Sequence, residues 1–399
     1  MTQSDADARA LVEWILTEGT TTTSISTFTK RYCHHLNAVG LPVDRIFIGT
    51  LVMHPQAAGI AASYTMGEDR VIESLVSHDE FEARKRHQND PMQHILSTGE
   101  VLEAKLQSSD STMVDLQALK DAGFTGFLGF PLMCGKRIIG GMTLSTRKSN
   151  GWTIEDKAML AAANHAVGPV VMLAVRDFVQ SRLLQVYLGS DAGVRVHRGQ
   201  VRPGQGQSLT AAIMFCDVWG FTTLWEREPQ SVVLSLLNEL CAIIVRQIQT
   251  RNGQVLKFLG DGLLVVFPGD DPADACGRAI RSALAAQTEI NAFNAARTAH
   301  ALPTAAMGIG IHYGQMMYGN VGAPQRLDFT IIGSAVNLAA RIESLCRTLH
   351  ENVLISRDVA QAVSVPVERC GAFALKGIAE PVDVFALRTT SSDAERDPQ

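Results

Sequence analysis

The chain has no long basic run, no CxxC pair and no basic-then-apolar leader, and each absence narrows what it can do. Its 35 Lys and Arg stand against 40 Asp and Glu, a formal net charge of −5. Phosphate-backbone binding needs clustered cations, so nucleic acid is not expected as a partner. The seven cysteines, Cys33, Cys134, Cys216, Cys241, Cys276, Cys346 and Cys370, are scattered and lie mostly inside apolar segments. That suits small buried side chains in a reducing cytosol better than a disulfide frame or a zinc site. The N-terminal stretch MTQSDADARALVEW is acidic, against the plan of a signal peptide, and a cytoplasmic protein is expected. Ala158–Val175 runs 18 residues without a charge but is interrupted by Asn164, His165, Gly168 and Pro169. A buried helix at a domain edge is expected there, not a membrane span.

What is present is a chain of 399 residues, 46% apolar, enough for two cores and a connector. Ala8–Leu16 and Ser24–Val39 carry helical spacing of apolar residues, and Asp44–His54 reads as a strand. Gly126–Arg147 reads as two strands joined by a turn at Cys134–Arg137. A helix follows, with Thr153 as N-cap and Asp156 completing an acidic capping box. Met172, Val175, Val179, Leu183 and Val186 are spaced as the seam of a short parallel coiled coil between two copies of the chain. A glycine-rich stretch, Gly199–Ser208, marks the next boundary. The cluster Cys33-His34-His35 does not suit metal or haem, because adjacent helical residues point apart. His54, His87 and His94 have no spacing that supports a ligand set.

Chemistry concentrates after the boundary. SLTAAIMFCD reads as a buried strand ending at Asp217, and Thr223 and Glu226 form a T-x-x-E capping box that predicts a helix start there. A carboxylate beside a helix N-terminus suits a cation and a polyphosphate together. VLKF and LLVVF flank the turn Gly260-Asp261-Gly262, which puts Asp261 at a hairpin tip. Two acids at adjacent strand ends are the donor set of two-metal phosphoryl transfer, although aspartates in turns are commonly structural. In RLDFTIIGSAVNLAARIESL a strand, a glycine turn and a helix follow one another, with Asn337 and Arg341 at i and i+4 on one face. An amide can orient a ribose and a guanidinium can neutralise phosphate charge; the plain reading is a solvated helix face.

Two resemblances sharpen these readings. The segment GFPL, a hairpin with IIGGMTLS, then WTIEDKAMLAAA is similar to the closing half of a GAF domain. That implies a sensor module that often dimerises, with an unidentified small molecule as its possible ligand. DVWGFTT at Asp217, KFLGDG at Lys257 and DFTIIGSAVNLAAR at Asp328 resemble the catalytic domain of class III nucleotidyl cyclases, in the same order. The expected architecture is mixed α+β and α/β. It comprises a GAF-like domain over 1–171, a helical linker over 172–207, a cyclase domain with a ferredoxin-like βαββαβ core over 208–390, and a disordered tail over 391–399.

The cyclase resemblance implies roles for matching residues. Asp217 and Asp261, with the Val218 carbonyl, look like the ligands of two Mg²⁺ or Mn²⁺ ions per site. Lys257 and Thr330 fall at the purine-selecting positions, Asn337 and Arg341 at the transition-state pair, and Lys376 at a triphosphate-binding lysine. Phe221 and Thr222 are expected against the substrate as well. A donor-only lysine and an accepting threonine suit adenine, so ATP and cyclic AMP are expected. A guanylate cyclase or a catalytically weak nucleotide-binding scaffold remain as alternatives. The family's head-to-tail homodimer implies that Lys257 and Asp261 of one chain serve different nucleotides; four strand positions already separate them by about 13 Å. Three positions depart from the pattern: Trp219 is often smaller or charged, Ser334 is often Asp, and Gly308 replaces an arginine of mammalian members.

Overall fold

The computed structural model describes residues 3–22, 24–68, 70–86, 89–107 and 113–388. His87 and the expected tail lie outside the described residues. Two compact units divide at Met1–Leu183 and Leu184–Gln399.

In the first unit α1 (Gln3–Thr17) and α2 (Ile25–Ala38) precede β1 (Arg45–His54), β2 (Ala57–Thr65) and β3 (Ile72–Val76). Then come α3 (His78–Lys85), α4 (Pro91–Thr98), β4 (Leu102–Lys105) and α5 (Val114–Asp121). The hairpin of β5 (Gly126–Cys134) and β6 (Arg137–Thr146) leads into α6 (Ile154–Leu188). The strands form an antiparallel sheet in the order β3-β2-β1-β6-β5-β4. The expected capping box opens α6: Asp156 N–H donates to Thr153 Oγ1 at 3.1 Å and Thr153 N–H to Asp156 Oδ2 at 2.9 Å.

Leu11 and Ile15 of α1, Phe28, Tyr32 and Leu36 of α2, and Leu160, Val167 and Val171 of α6 bury together with Ile46, Ile48, Met142 and Leu144 of the sheet. Each such side chain contributes about 1.5–3 kcal/mol on burial, which explains a long uncharged helix without a bilayer. Two described helices, α6 and Gln230–Gln249, are long and apolar enough to cross a membrane; 61% of the apolar window of α6 is buried in the unit itself. The same core uses part of the expected two-chain seam. Val175 is 4% exposed in it, and Met172 and Val179 pack against it. Spacing of three and four marks any buried helix face, within one chain or between two.

The second unit starts with the end of α6 and α7 (Ser190–His197), so residues 184–207, expected as linker, belong to it. There follow β7 (Gly206–Trp219), α8 (Phe221–Arg227), α9 (Gln230–Gln249), β8 (Gln254–Leu259), β9 (Gly262–Pro268) and α10 (Pro272–Ala299). The chain continues through β10 (Ala306–Ala323), β11 (Arg326–Ile332), α11 (Ser334–Leu349), β12 (Val353–Ser356), α12 (Arg357–Ala362), β13 (Val367–Phe373) and β14 (Val382–Leu387). The sheet order is β13-β14-β12-β10-β7-β9-β8, with β11 paired to β10. Its centre, β10-β7-β9-β8, is the split βαβ arrangement of a ferredoxin-like core.

Successive side chains of β7 enter opposite cores. Ala212, Met214 and Cys216 meet α9 and α10, while Ala211 and Ile213 lie with Ala192 of α7 and Ala339 of α11. Both faces are covered, so the strand reads as a continuous apolar run until the sheet ends at Asp217.

Candidate active site

Asp217 stands opposite Gly308 near the end of β7, with Val218 buried beside it. The β8–β9 hairpin closes through Gly260 and Asp261, as the sequence predicts, with Gly260 in the left-handed region at φ 72. The next residue, Gly262, lies against β7: a Cβ there would be 2.7 Å from the Cys216 carbonyl oxygen and 3.2 Å from Asp217 Oδ1. The hairpin tip thus brings Asp261 to Asp217. Burial raises the Asp217 carboxyl above its ordinary range, the Asp261 charge raises it further, and Arg347 opposes both.

A third acid joins them that sequence reasoning missed. Glu343 of α11 sits where a Cβ on Gly310 would be 2.3 Å from the Glu343 backbone nitrogen, so the helix approaches β10 this closely because position 310 has no side chain. Burial first, then Asp217 and Asp261, push the Glu343 carboxyl up to about 7 against the pull of Arg347. The signal was legible as an acid in the apolar stripe of Ala339, Ile342 and Cys346. Among the described residues no group of three or more His, Cys, Asp or Glu forms a metal cage. Two carboxylates and a backbone carbonyl are an oxygen donor set that fits hard divalent cations completed by water and phosphate.

Lys257 has a partner that the sequence did not announce: its ammonium pairs with the Asp328 carboxylate of β11. Thr330, two positions on, is 7% exposed. On α11, Asn337 and Arg341 are both exposed. Arg341 is absent from the charges that act on Asp217, whereas Arg347 is among them. The chain therefore brings Asp217, Asp261 and Glu343 together, holds Lys257 at Asp328, and directs Arg341 elsewhere. Lys376 is exposed in the loop between β13 and β14.

Phe221 and Thr222 open α8, and here the structure corrects the expected start. Gly220 is the N-cap, in a left-handed conformation without a side-chain cap, and Thr223 and Glu226 lie inside the helix. The helix starts two residues earlier than the T-x-x-E pattern predicts, so Thr223 is past the position where its hydroxyl could cap.

Residues 205–389 match the model of the adenylate and guanylate cyclase catalytic domain. The second unit carries a cyclase catalytic domain. An adenylate cyclase of Anabaena cylindrica is 33% identical over 170 residues, 42% of this chain and 33% of that protein. An uncharacterized protein of Mycobacterium tuberculosis is 35% identical over 178 residues, 45% of this chain and 32% of that one. The matched part thus spans about a third of these relatives' length. The crystal structure of an adenylyl cyclase from P. aeruginosa is 26% identical with a TM-score of 0.44, covering 48% of this chain and all of that one.

Two departures from the cyclase pattern explain each other. A Cβ on Gly308 would lie 2.6 Å from Trp219 Nε1 and 3.1 Å from Cys346 Cβ, so the indole occupies the space a side chain at 308 would need. Elsewhere the cysteines behave as small buried groups. All seven are free, and burial pushes Cys33, Cys276 and Cys346 up to about 12, far from the range of reactive thiolates. Cys33, His34 and His35 diverge: Cys33 Sγ bonds the Val43 carbonyl, His34 Nε2 lies 2.9 Å from Tyr64 Oη, and His35 stacks on Trp14.

Proposed function

We propose that the chain is an adenylate cyclase, converting ATP to 3′,5′-cyclic AMP and pyrophosphate at sites shared by two copies of the chain. The observation that carries this reading is the meeting of Asp217 and Asp261 at neighbouring strand ends, with Arg341 of the same chain not acting on them. Two Mg²⁺ or Mn²⁺ ions held by Asp217, Asp261 and the Val218 carbonyl would supply acidification of the ribose 3′-hydroxyl and neutralisation of phosphoryl charge. Lys257 donates to adenine N1 and the Thr330 hydroxyl accepts from the 6-amino group. Guanine presents an acceptor and donors in other places, and a site that mispairs polar groups rejects it. Asn337 orients the ribose, Arg341 offsets charge in the transition state, and Lys376 holds the triphosphate. Backbone N–H groups at Phe221 and Thr222 face the phosphates.

The first unit is assigned a regulatory role, on the GAF-like order of its final hairpin and α6, with a small molecule as its input. The shared site is tested by mixing. Asp261→Ala and Lys257→Ala chains are each inactive; combined in equal amounts they regain about a quarter of wild-type activity, because half the dimers are mixed and each has one intact site of two. Mixed dimers without cyclic AMP formation would refute the shared-site assignment.

A further inference from the structure

We propose that Asp328 is a positioning residue for base selection, acting through Lys257; this rests on reading the second unit as a nucleotide cyclase. Lys257 leaves β8 directly after a bulge. Val255 pairs with Val265 and Lys257 with Leu264, so Leu256 has no partner position of its own. Bulges re-aim the side chains around them. Leu256 turns inward at 7% exposure, and the Lys257 ammonium meets Asp328.

The two strands that carry this pair are not hydrogen-bonded to each other: β8 is an edge of the sheet, and β11 pairs only with β10. The ion pair bridges elements that the backbone ladder leaves independent. On β11, Asp328 and Thr330 share a face. Phe329 between them turns the other way, buried edge-on against Tyr318 at a centroid separation of 4.8 Å. One carboxylate therefore sets where the cation stands relative to the hydroxyl that reads the rest of the base edge.

Solvation argues against a folding role for the pair. The side chains keep 24% and 48% exposure, and ion pairs that wet contribute little to stability. Positioning is where the pair has leverage, because a lysine is a point charge on a flexible four-carbon stem. Adenine and guanine both offer an acceptor to an ammonium; they differ in where it stands beside the neighbouring donor. A cation free to wander over its rotamers cannot make that distinction, and one tied to Asp328 can. Asp328 thereby governs the preference between purines more than the rate of the chemical step.

The test measures kcat/KM for ATP and for GTP in the full chain, for wild type, Asp328→Asn, Asp328→Glu, Lys257→Ala and the Asp328→Asn/Lys257→Ala pair. Asp328→Asn should lower the ATP-over-GTP ratio about tenfold, a factor equal to about 1.4 kcal/mol, mainly through KM for ATP. Asp328→Glu should restore most of the ratio, and in the Lys257→Ala background Asp328→Asn should leave it unchanged. If Lys257→Ala alters the ratio and Asp328→Asn does not, the proposal is overturned while the cyclase reading stands. An equal loss for both nucleotides assigns Asp328 to folding and also overturns it. A wild-type chain that cyclises neither nucleotide removes the reading beneath it.

Discussion

Replacing Glu343 by Gln should stabilise the metal-free protein at pH 8 and leave it unchanged at pH 4.5. Burial and the neighbouring Asp217 and Asp261 move this carboxyl from the ordinary 4.5 up to about 7. An acid whose folded value is raised contributes stability below its unfolded value and loses that contribution as pH climbs through the folded one. The window of loss therefore runs from about pH 4.5 to about pH 7. At 1.36 kcal/mol per pH unit the gap would be worth about 3 kcal/mol for a fully buried group. Glu343 keeps some contact with water, so about 1–2 kcal/mol is the expected effect. Glutamine mimics the protonated acid and carries no penalty at high pH. For a unit of this size, that difference raises Tm by about 3–6 °C at pH 8. Thermal scans of both chains in chelator, followed by circular dichroism between pH 4.5 and 8, measure it. A gain equal at both ends of the range, or a loss at pH 8, would show that the three acids do not interact as described.

Three more outcomes follow from the site. Lys257→Glu should abolish ATP turnover, read as cyclic AMP by chromatography, because an acceptor replaces the donor facing adenine N1; unchanged cyclic AMP production would refute the base assignment. Gly310→Ala should destabilise the second unit by about 1–3 kcal/mol in a denaturant titration, since its Cβ would meet the Glu343 backbone at 2.3 Å. Gly308→Ala should destabilise in the same range, and Trp219→Phe in the same chain should recover part of the loss if the indole nitrogen is the obstacle.

Local chemistry made part of this structure readable in advance. The Gly260-Asp261 turn, the Thr153–Asp156 capping box and the β5–β6 hairpin each depend on residues within four positions of one another, and all three form. What escaped depends on tertiary packing. The bulge at Leu256 and the Lys257–Asp328 pair join strands 71 positions apart, and no spacing rule reaches that far. Trp219 and Gly308 looked like two separate departures until the fold put a missing side chain beneath an indole. Thr223 failed as a cap because Gly220 takes the N-cap position three residues earlier. The seam at Val175 shows the same limit from another side, since apolar spacing records that a face is buried and not by what.

Cyclisation itself is the most direct measurement. The full chain is incubated with Mn²⁺ or Mg²⁺ and α-labelled ATP or GTP, and the products are separated. Cyclic AMP and pyrophosphate in equal amounts are expected, with ATP preferred over GTP and at least about a hundredfold loss in Asp217→Ala and Asp261→Ala. Release of ADP or AMP without a cyclic product, or cyclisation that survives loss of both aspartates, would contradict the assignment.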